Sequence, residues 1–376
     1  MRVAILESIV MPAGHEVEFD RILVDELKQQ GHKPIFFVPK NFPFKINYKT
    51  DVEYLNGGEA ISYAGVGKLK KMWLSILRET RRLKWFDDAY EKAKQGLCDA
   101  IIIPTASFRF LRMLKNSKLK NSPISIYFIF HGIIPKEKNR FLKYAKICEK
   151  YKNINLKIMT LREDFVNLNI KNITTILPPI YKPLNVNISA QFKHKKPLKI
   201  GFFGQFRREK NLGFFLEAFK KAKFQVEVKL VVQGATTRVE DAKAFDAYMM
   251  EYKDCSDIEF LHKNLIGQEW QEALLGIDVL IMPYAAERYR YQSSAMLFTA
   301  IGFYKPVLIS PEINPEVLQE FDIGETLQFS SIDTFSKQLE EFINNFANNI
   351  DTYNKNLTLA NIKYSHENLI KSILAK

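Results

Sequence analysis

The chain holds 376 residues, 47% hydrophobic and 26% charged, with 55 Lys and Arg against 42 Asp and Glu for a formal net charge of +13. Those proportions exclude a disordered chain and, at roughly 150 residues per domain, predict two domains with separate cores. No apolar run approaches the ~20 residues of a membrane-spanning helix, and the opening MRVAILESIV lacks the basic start and small-residue cleavage site of a signal peptide, so a cytoplasmic location is expected.

In chain order, residues 2–6 read as a strand, 19–30 as an amphipathic helix stopped at Gly31, and 34–38 as a second strand, a βαβ opening. The loop Pro12-Ala13-Gly14-His15-Glu16 follows the first strand. Gly14 gives it freedom to approach a ligand, and His15 and Glu16 are candidate catalytic groups. A polar, glycine-containing stretch to Gly67 precedes a long helix over 68–96. Leu69, Met72, Trp73, Ile76, Leu77 and Leu83 share one face of that helix, and Lys70, Lys71, Arg78, Arg81 and Arg82 spread over the other. The apolar stripe of such a helix packs on a sheet, and its basic residues can meet anionic lipid. Strands at 100–103 and 124–130 flank a helix at 108–114. His131 follows the second strand, at a carboxyl end where ligand-binding groups gather. Strands at 158–160 and 174–176 continue the alternation until Pro178, Pro179 and Pro183 interrupt it.

Residues 183–197 lack periodicity and add Asn, Lys and Pro, the mark of an interdomain linker. Alternation then resumes with a strand at 199–203, a helix from 212, a strand at 228–232, a helix from 240, a strand at 258–261 and a helix at 267–275. The apolar run 277–282 ends at Pro283, an Arg- and Tyr-rich loop follows, and a helix over 295–301 leads to a strand at 307–309. Helices over 332–346 and 357–375 close the chain. Strands alternating with helices imply an α/β protein with mostly parallel sheets. In such sheets the loop 283–294 lies outside the carboxyl end of its strand, and the free N–H groups where Ser293 and Ser294 start a helix suit a phosphate.

Cys98, Cys148 and Cys255 are odd in number and widely spaced, so they are expected to be reduced packing residues, and the six scattered His suggest no metal site. The basic balance favours anionic partners, either a nucleotide diphosphate or an anionic membrane surface. Nucleic acid is not expected, because no zinc-finger, RRM or basic-zipper pattern is present.

Residues 200–219, IGFFGQFRREKNLGFFLEAF, and 283–310, PYAAERYRYQSSAMLFTAIGFYKPVLIS, together resemble the donor-binding half of retaining GT-B glycosyltransferases of family 4. Gly204, Lys210 and Leu216-Glu217-Ala218-Phe219 match one signature in spacing, while the family's Arg falls on Gln205 and its Gly after the Lys on Asn211. Pro283, Tyr284, Arg288, Tyr289, Arg290 and Ser294 match a variant of the second signature, whose two usual Glu positions hold Tyr291 and Thr299.

The resemblance implies a GT-B fold, two Rossmann-like domains with an interdomain cleft. Residues 1–182 would bind acceptor, 183–197 link, 198–354 bind the nucleotide sugar, and 355–376 return as a helix to the first domain. It further implies transfer, with retention, of a sugar from a nucleotide diphosphate sugar to a glycan or lipid-linked acceptor. Bacterial surface polysaccharide synthesis on the inner face of the plasma membrane is the implied setting, with no metal or cofactor. Lys210 would meet the diphosphate, with Arg207 or Arg208 replacing the cation absent at Gln205 beside Gly204. Arg288, Arg290 and the helix start at Ser293, Ser294 and Ala295 would reinforce that contact. Thr299 offers one hydroxyl where a carboxylate would hold two ribose hydroxyls, so weaker or differently oriented nucleotide binding is expected. His131, with His15 and Glu16, is the catalytic candidate of the first half. Gly234 and Leu265-Ile266 are expected to be turn and core residues. The alternative is a GT-B protein that binds nucleotide sugar or glycan without turnover, since Gln205, Tyr291 and Thr299 replace three customary residues. An epimerase of the same fold would need cleft carboxylates, for which Glu16 is the candidate.

Overall fold

The computed structural model describes residues 1–10, 15–63, 66–166, 168–186, 188 and 197–375, with the side chains of His15 and Lys68 outside the description. The chain forms two compact units, Met1–Pro178 with His366–Lys376, and Pro179–Ser365.

The first unit begins with β1 (Arg2–Leu6), α1 (His15–Gln29), β2 (Lys33–Lys40), β3 (Asp51–Glu59) and α2 (Lys68–Lys94). It continues through β4 (Ala100–Ile103), α3 (Phe108–Leu114), β5 (Ser125–Phe130), α4 (Pro135–Cys148), β6 (Ile154–Met159) and β7 (Ile173–Ile176). All seven strands are parallel, in the order β3-β2-β1-β4-β5-β6-β7. The central strands are apolar runs because helices cover both faces, and the core gathers Trp85, Phe86, Phe110, Phe128 and Phe141. Strand β3 was not expected. Its sequence DVEYLNGGE is half-exposed at the sheet edge and reads as a polar loop. A Cβ on Gly57 would stand 2.6 Å from Cβ of Lys84, so the glycine lets this strand lie directly on α2.

Helix α2 spans the expected residues but its sides are used differently. Leu69, Met72, Trp73 and Ile76 are 59–82% exposed, so the stripe of its first turns is not packed on the sheet. Arg82, expected on the solvent side, is buried, paired with Glu79 at 2.6 Å and laid 3.8 Å over the Phe110 ring. Trp85 and Phe86, one turn further on, supply the helix's buried anchors instead.

The second unit holds β8 (Leu198–Phe202), α5 (Leu212–Lys221), β9 (Val228–Gln233), α6 (Val239–Glu251), β10 (Ile258–Leu261) and α7 (Gly267–Leu275). Then come β11 (Val279–Met282), α8 (Ala295–Gly302), β12 (Val307–Ile309), α9 (Glu316–Glu320), β13 (Gly324–Thr326), α10 (Ile332–Asn344) and α11 (Phe346–Lys363). Its six parallel strands run β10-β9-β8-β11-β12-β13. In both sheets the order reverses beside the first strand, between β1 and β4 and between β8 and β11. At such a switch point neighbouring loops diverge and leave a crevice outside the strand ends.

The last helix, α12 (His366–Leu374), belongs to the first unit. Tyr127 Oη and Lys157 Nζ donate to the carbonyls of Leu374 and Ala375 at 3.1 and 2.7 Å. The single closing helix expected over 357–375 is therefore two. The break lies at Tyr364, whose carbonyl accepts the Ile180 N–H and whose ring packs edge-on to Phe298, fixing that residue in the second unit. The three cysteines are free, with Cys98 and Cys148 buried.

Candidate functional site

In the second unit, β8 and β11 end side by side at the switch point, and their loops carry the residues singled out from the sequence. Gly204 follows β8 with φ +104, a conformation other residues rarely adopt, and its N–H donates to Gln233 Oε1 at 2.8 Å. Gln233 Nε2 donates onward to the Lys263 carbonyl, so the β8 loop is pinned to the ends of β9 and β10. Gln205 turns sideways, donating to Thr237 Oγ1 at 2.8 Å and accepting from Arg207 at 3.2 Å. A short 3-10 turn, Arg208–Lys210, leads to Asn211 at φ 57 and then into α5. Asn is among the few residues that tolerate this left-handed position, so replacing the glycine the resemblance implies keeps the turn.

Lys210 folds back from that turn into the protein. It is 6% exposed, its Nζ donates to the Phe203 carbonyl at 3.2 Å and lies 4.5 Å from the centre of the Tyr284 ring. A Cβ on Gly204 would stand 3.2 Å from that Nζ and 3.6 Å from Met296 Sδ, so the absent side chain brings backbone, ammonium and the start of α8 together. Burial, with Arg207 and Arg288 nearby, lowers the Lys210 pKa to about 7 against the weaker pull of Glu209.

The β11 loop is tied to the β8 loop by the Ala285 N–H, which donates to the Glu209 carbonyl at 2.8 Å, and by an ion pair of Arg288 with Glu209. Arg288 also lies 4.7 Å over the Tyr289 ring, and Arg290 pairs with Glu316. Both arginines thus already have carboxylate partners, and a bound anion would have to compete for them. Arg207 stands 3.7 Å from the Glu209 carboxylate, whereas Arg208 is exposed.

Ser294 caps α8 by accepting the Leu297 N–H, and its own N–H donates to Asn314 Oδ1. Ala295 and Met296 remain as first-turn donors, and the buried Ser293 hydroxyl has no hydrogen-bond partner among the described residues. Thr299, buried one turn on, donates its hydroxyl to the Ala295 carbonyl at 2.8 Å. That proton is committed inside the helix, and no carboxylate takes the position.

Gly234 has a packing role, because a Cβ there would stand 2.3 Å from the Phe245 ring. Behind it Asp246 holds His262 Nδ1 at 2.6 Å, and His262 Nε2 meets Thr236 Oγ1 at 3.0 Å. This chain of three, like Gln233 and Glu209, escaped the sequence reading. Its members are far apart in sequence and meet only where β9, α6 and β10 converge.

The first unit has its own cluster at the end of β1. Glu7 is buried, and its Oε1 accepts the N–H groups of Ser8 and Ile9 at 2.6 and 2.5 Å. With Glu16 and the buried Asp20 of α1 it lines a cavity of about 30 Å³, rimmed by Phe42, Phe44 and Tyr48. That volume admits roughly one water-sized group. Burial raises the Glu7 pKa to about 8 and the Asp20 pKa well above the carboxylate range, each opposed in ionising by neighbouring carboxylates. The sequence had marked Glu16 alone, although a Glu closing an apolar strand and an Asp within Phe19-Asp20-Arg21-Ile22-Leu23 were visible signals. His131 follows β5 with Nε2 donating to the Pro104 carbonyl at 2.8 Å and its ring edge-on to Phe19. His15 opens α1 through its backbone, and Gly14 lies outside the described residues.

Two parallel Rossmann-type sheets, with a glycine, a buried lysine and a capped helix at the second switch point, define a GT-B architecture. Residues 197–345 match the profile of the family described as Glycosyl transferases group 1, and the chain has the GT-B fold. A search of curated proteins returned no match. Among solved structures, a glycosyltransferase from Rickettsia africae ESF-5 superposes with a TM-score of 0.71 at 12% identity, covering 99% of this chain and 96% of that one. Anabaena HepE in complex with UDP gives 0.68 at 11%, with 99% and 98% covered. WaaG, a glycosyltransferase involved in lipopolysaccharide biosynthesis, gives 0.62 at 12%, with both chains fully covered at 100%.

Proposed function

We propose that the protein transfers a sugar, with retention, from a nucleotide diphosphate sugar to a glycan or lipid-linked acceptor in surface polysaccharide synthesis. The observation that carries the donor half of this reading is Lys210, a buried ammonium beside Gly204 and the first turn of α8. A diphosphate placed there would meet a fixed positive charge and two backbone donors in a poorly hydrated setting, where charge on a leaving group is strongly stabilised. HepE structures with UDP and UDP-glucose, and the lipopolysaccharide role of WaaG, support the substrate classes named.

Calorimetric titration with UDP, GDP, ADP and CMP sugars, followed by hydrolysis and transfer assays on the donor that binds, tests the reading. Binding of one donor with slow hydrolysis is expected. Absence of binding by every donor overturns it. Tight binding without hydrolysis or transfer would favour a nucleotide-sugar-binding protein, a reading supported by the Thr299 hydroxyl bonded within its own helix.

The lipid-linked acceptor gains support from α2, where Leu69, Met72, Trp73 and Ile76 stand exposed beside Lys70 and Lys71. An apolar stripe flanked by lysines suits the interface of an anionic bilayer. Co-sedimentation with anionic vesicles is expected at low salt, weakening as salt rises, and the double variant Met72→Ser, Trp73→Ser should release the protein. Equal sedimentation of variant and parent would assign the contact elsewhere.

A further inference from the structure

A second cluster of cations lies in the first unit, apart from the residues assigned above. Phe108, Arg109 and Arg112 of α3 face Arg140, Lys143 and Tyr144 of α4 across a cavity of about 320 Å³, within the size of ordinary small-ligand pockets. Its floor is aromatic: the Phe108 and Tyr144 rings lie 11° from parallel with centroids 6.4 Å apart, and the guanidinium carbons of Arg109 and Arg140 stand 5.9 and 5.8 Å from the Phe108 ring. Of the four cations only Arg112 has an ion-pair partner among the described residues. That partner, Glu79 of α2, is already shared with the buried Arg82. The cavity therefore carries a surplus of positive charge from three planar, fork-shaped donors, the side chain best matched to phosphate oxygens.

What adjoins the cavity narrows the ligand. Glu79 ties α3 to α2 at 3.3 Å, and Ile76 lies three residues before it, about 4.5 Å along the helix axis. From there the exposed stripe runs back through Trp73 and Met72 to Leu69. A cationic cavity tied through Arg112 and Glu79 to the helix that carries an exposed apolar stripe matches an amphiphile with a phosphate head and an apolar tail.

We propose that the α3–α4 cavity seats the phosphate group of a membrane lipid while the α2 stripe meets its acyl region. This rests on the membrane contact proposed above, and the test separates the two. The full-length protein is sedimented with phosphatidylcholine vesicles carrying phosphatidate, whose phosphate is terminal, or phosphatidylglycerol at matched surface charge. Preference for phosphatidate is expected. The variant Arg109→Gln, Arg140→Gln should lower binding to phosphatidate about 30-fold and abolish the preference. The Met72→Ser, Trp73→Ser variant should weaken binding to both vesicles alike. All these side chains are exposed, so unchanged thermal unfolding is expected and is checked in each variant. Equal binding to the two vesicles, or a preference that survives loss of both arginines, overturns the phosphate seat while leaving the membrane contact standing. Absence of binding to either vesicle overturns both. In that case, arginine-dependent binding of inorganic pyrophosphate would assign the cavity to a soluble phosphate and reject the lipid.

Discussion

Replacing Lys210 by Met should weaken diphosphate binding by about 10- to 100-fold and, below pH 7, make the unliganded protein more stable. The first effect is loss of a charge-assisted contact worth roughly 1.5–3 kcal/mol. The second follows from proton linkage. Folding lowers the Lys210 pKa from its unfolded value near 10.5 to about 7, so between those limits the unfolded chain binds more protons and stability rises with pH. Below pH 7 the folded protein carries the buried ammonium at a cost of a few kcal/mol, which the methionine removes. Thermal unfolding across pH 6–10 should therefore show a rising parent curve and a flatter variant curve that starts higher. A bound diphosphate should restore the proton, so calorimetry at pH 8 in buffers of different ionisation enthalpy should report proton uptake in the parent and none in the variant. A variant that binds as tightly as the parent would remove Lys210 from the donor site.

Glu7→Gln should flatten the pH dependence of the first unit and stabilise it above pH 8 by a few kcal/mol. Here the sign is opposite. Folding raises the Glu7 pKa from about 4.5 to about 8, so its contribution is fully present below pH 4.5 and is lost as pH rises through 8. Glutamine keeps an acceptor for the Ser8 and Ile9 N–H groups and has no charge to desolvate. Asp20 lies in the same cluster, so Asp20→Asn should reduce the slope that remains. Unfolding monitored at pH 5 and pH 9 is sufficient. A parent whose stability does not fall between them, or a variant that falls equally, would show that the carboxylate stays hydrated.

Both residues show how differently the two halves could be read. Lys210 stood out because the short stretch around it, a strand, a glycine and an amphipathic helix, resembles a family signature, and local sequence dictates local turns. That its ammonium turns inward over Tyr284 was not legible, because Tyr284 arrives on a different strand. Glu7 and Asp20 are separated by a loop and come together only when α1 packs beside the end of β1. The same applies to Arg288 and Arg290, whose carboxylate partners Glu209 and Glu316 arrive on other segments.

By itself the sequence determined the alternation of strands and helices, the parallel sheets and the two strand-end loops of the second half, because apolar periodicity and turn residues act over a few positions. Edge strand β3 lay outside that reach, since half-exposed positions and glycines carry no apolar signal until a helix packs on them. Only the tertiary structure decided which side of α2 is solvated, where the last helix breaks and which charges are already paired. Those outcomes depend on side chains from distant segments meeting in a medium where an unpaired charge is costly, and such meetings leave no periodic trace in the chain.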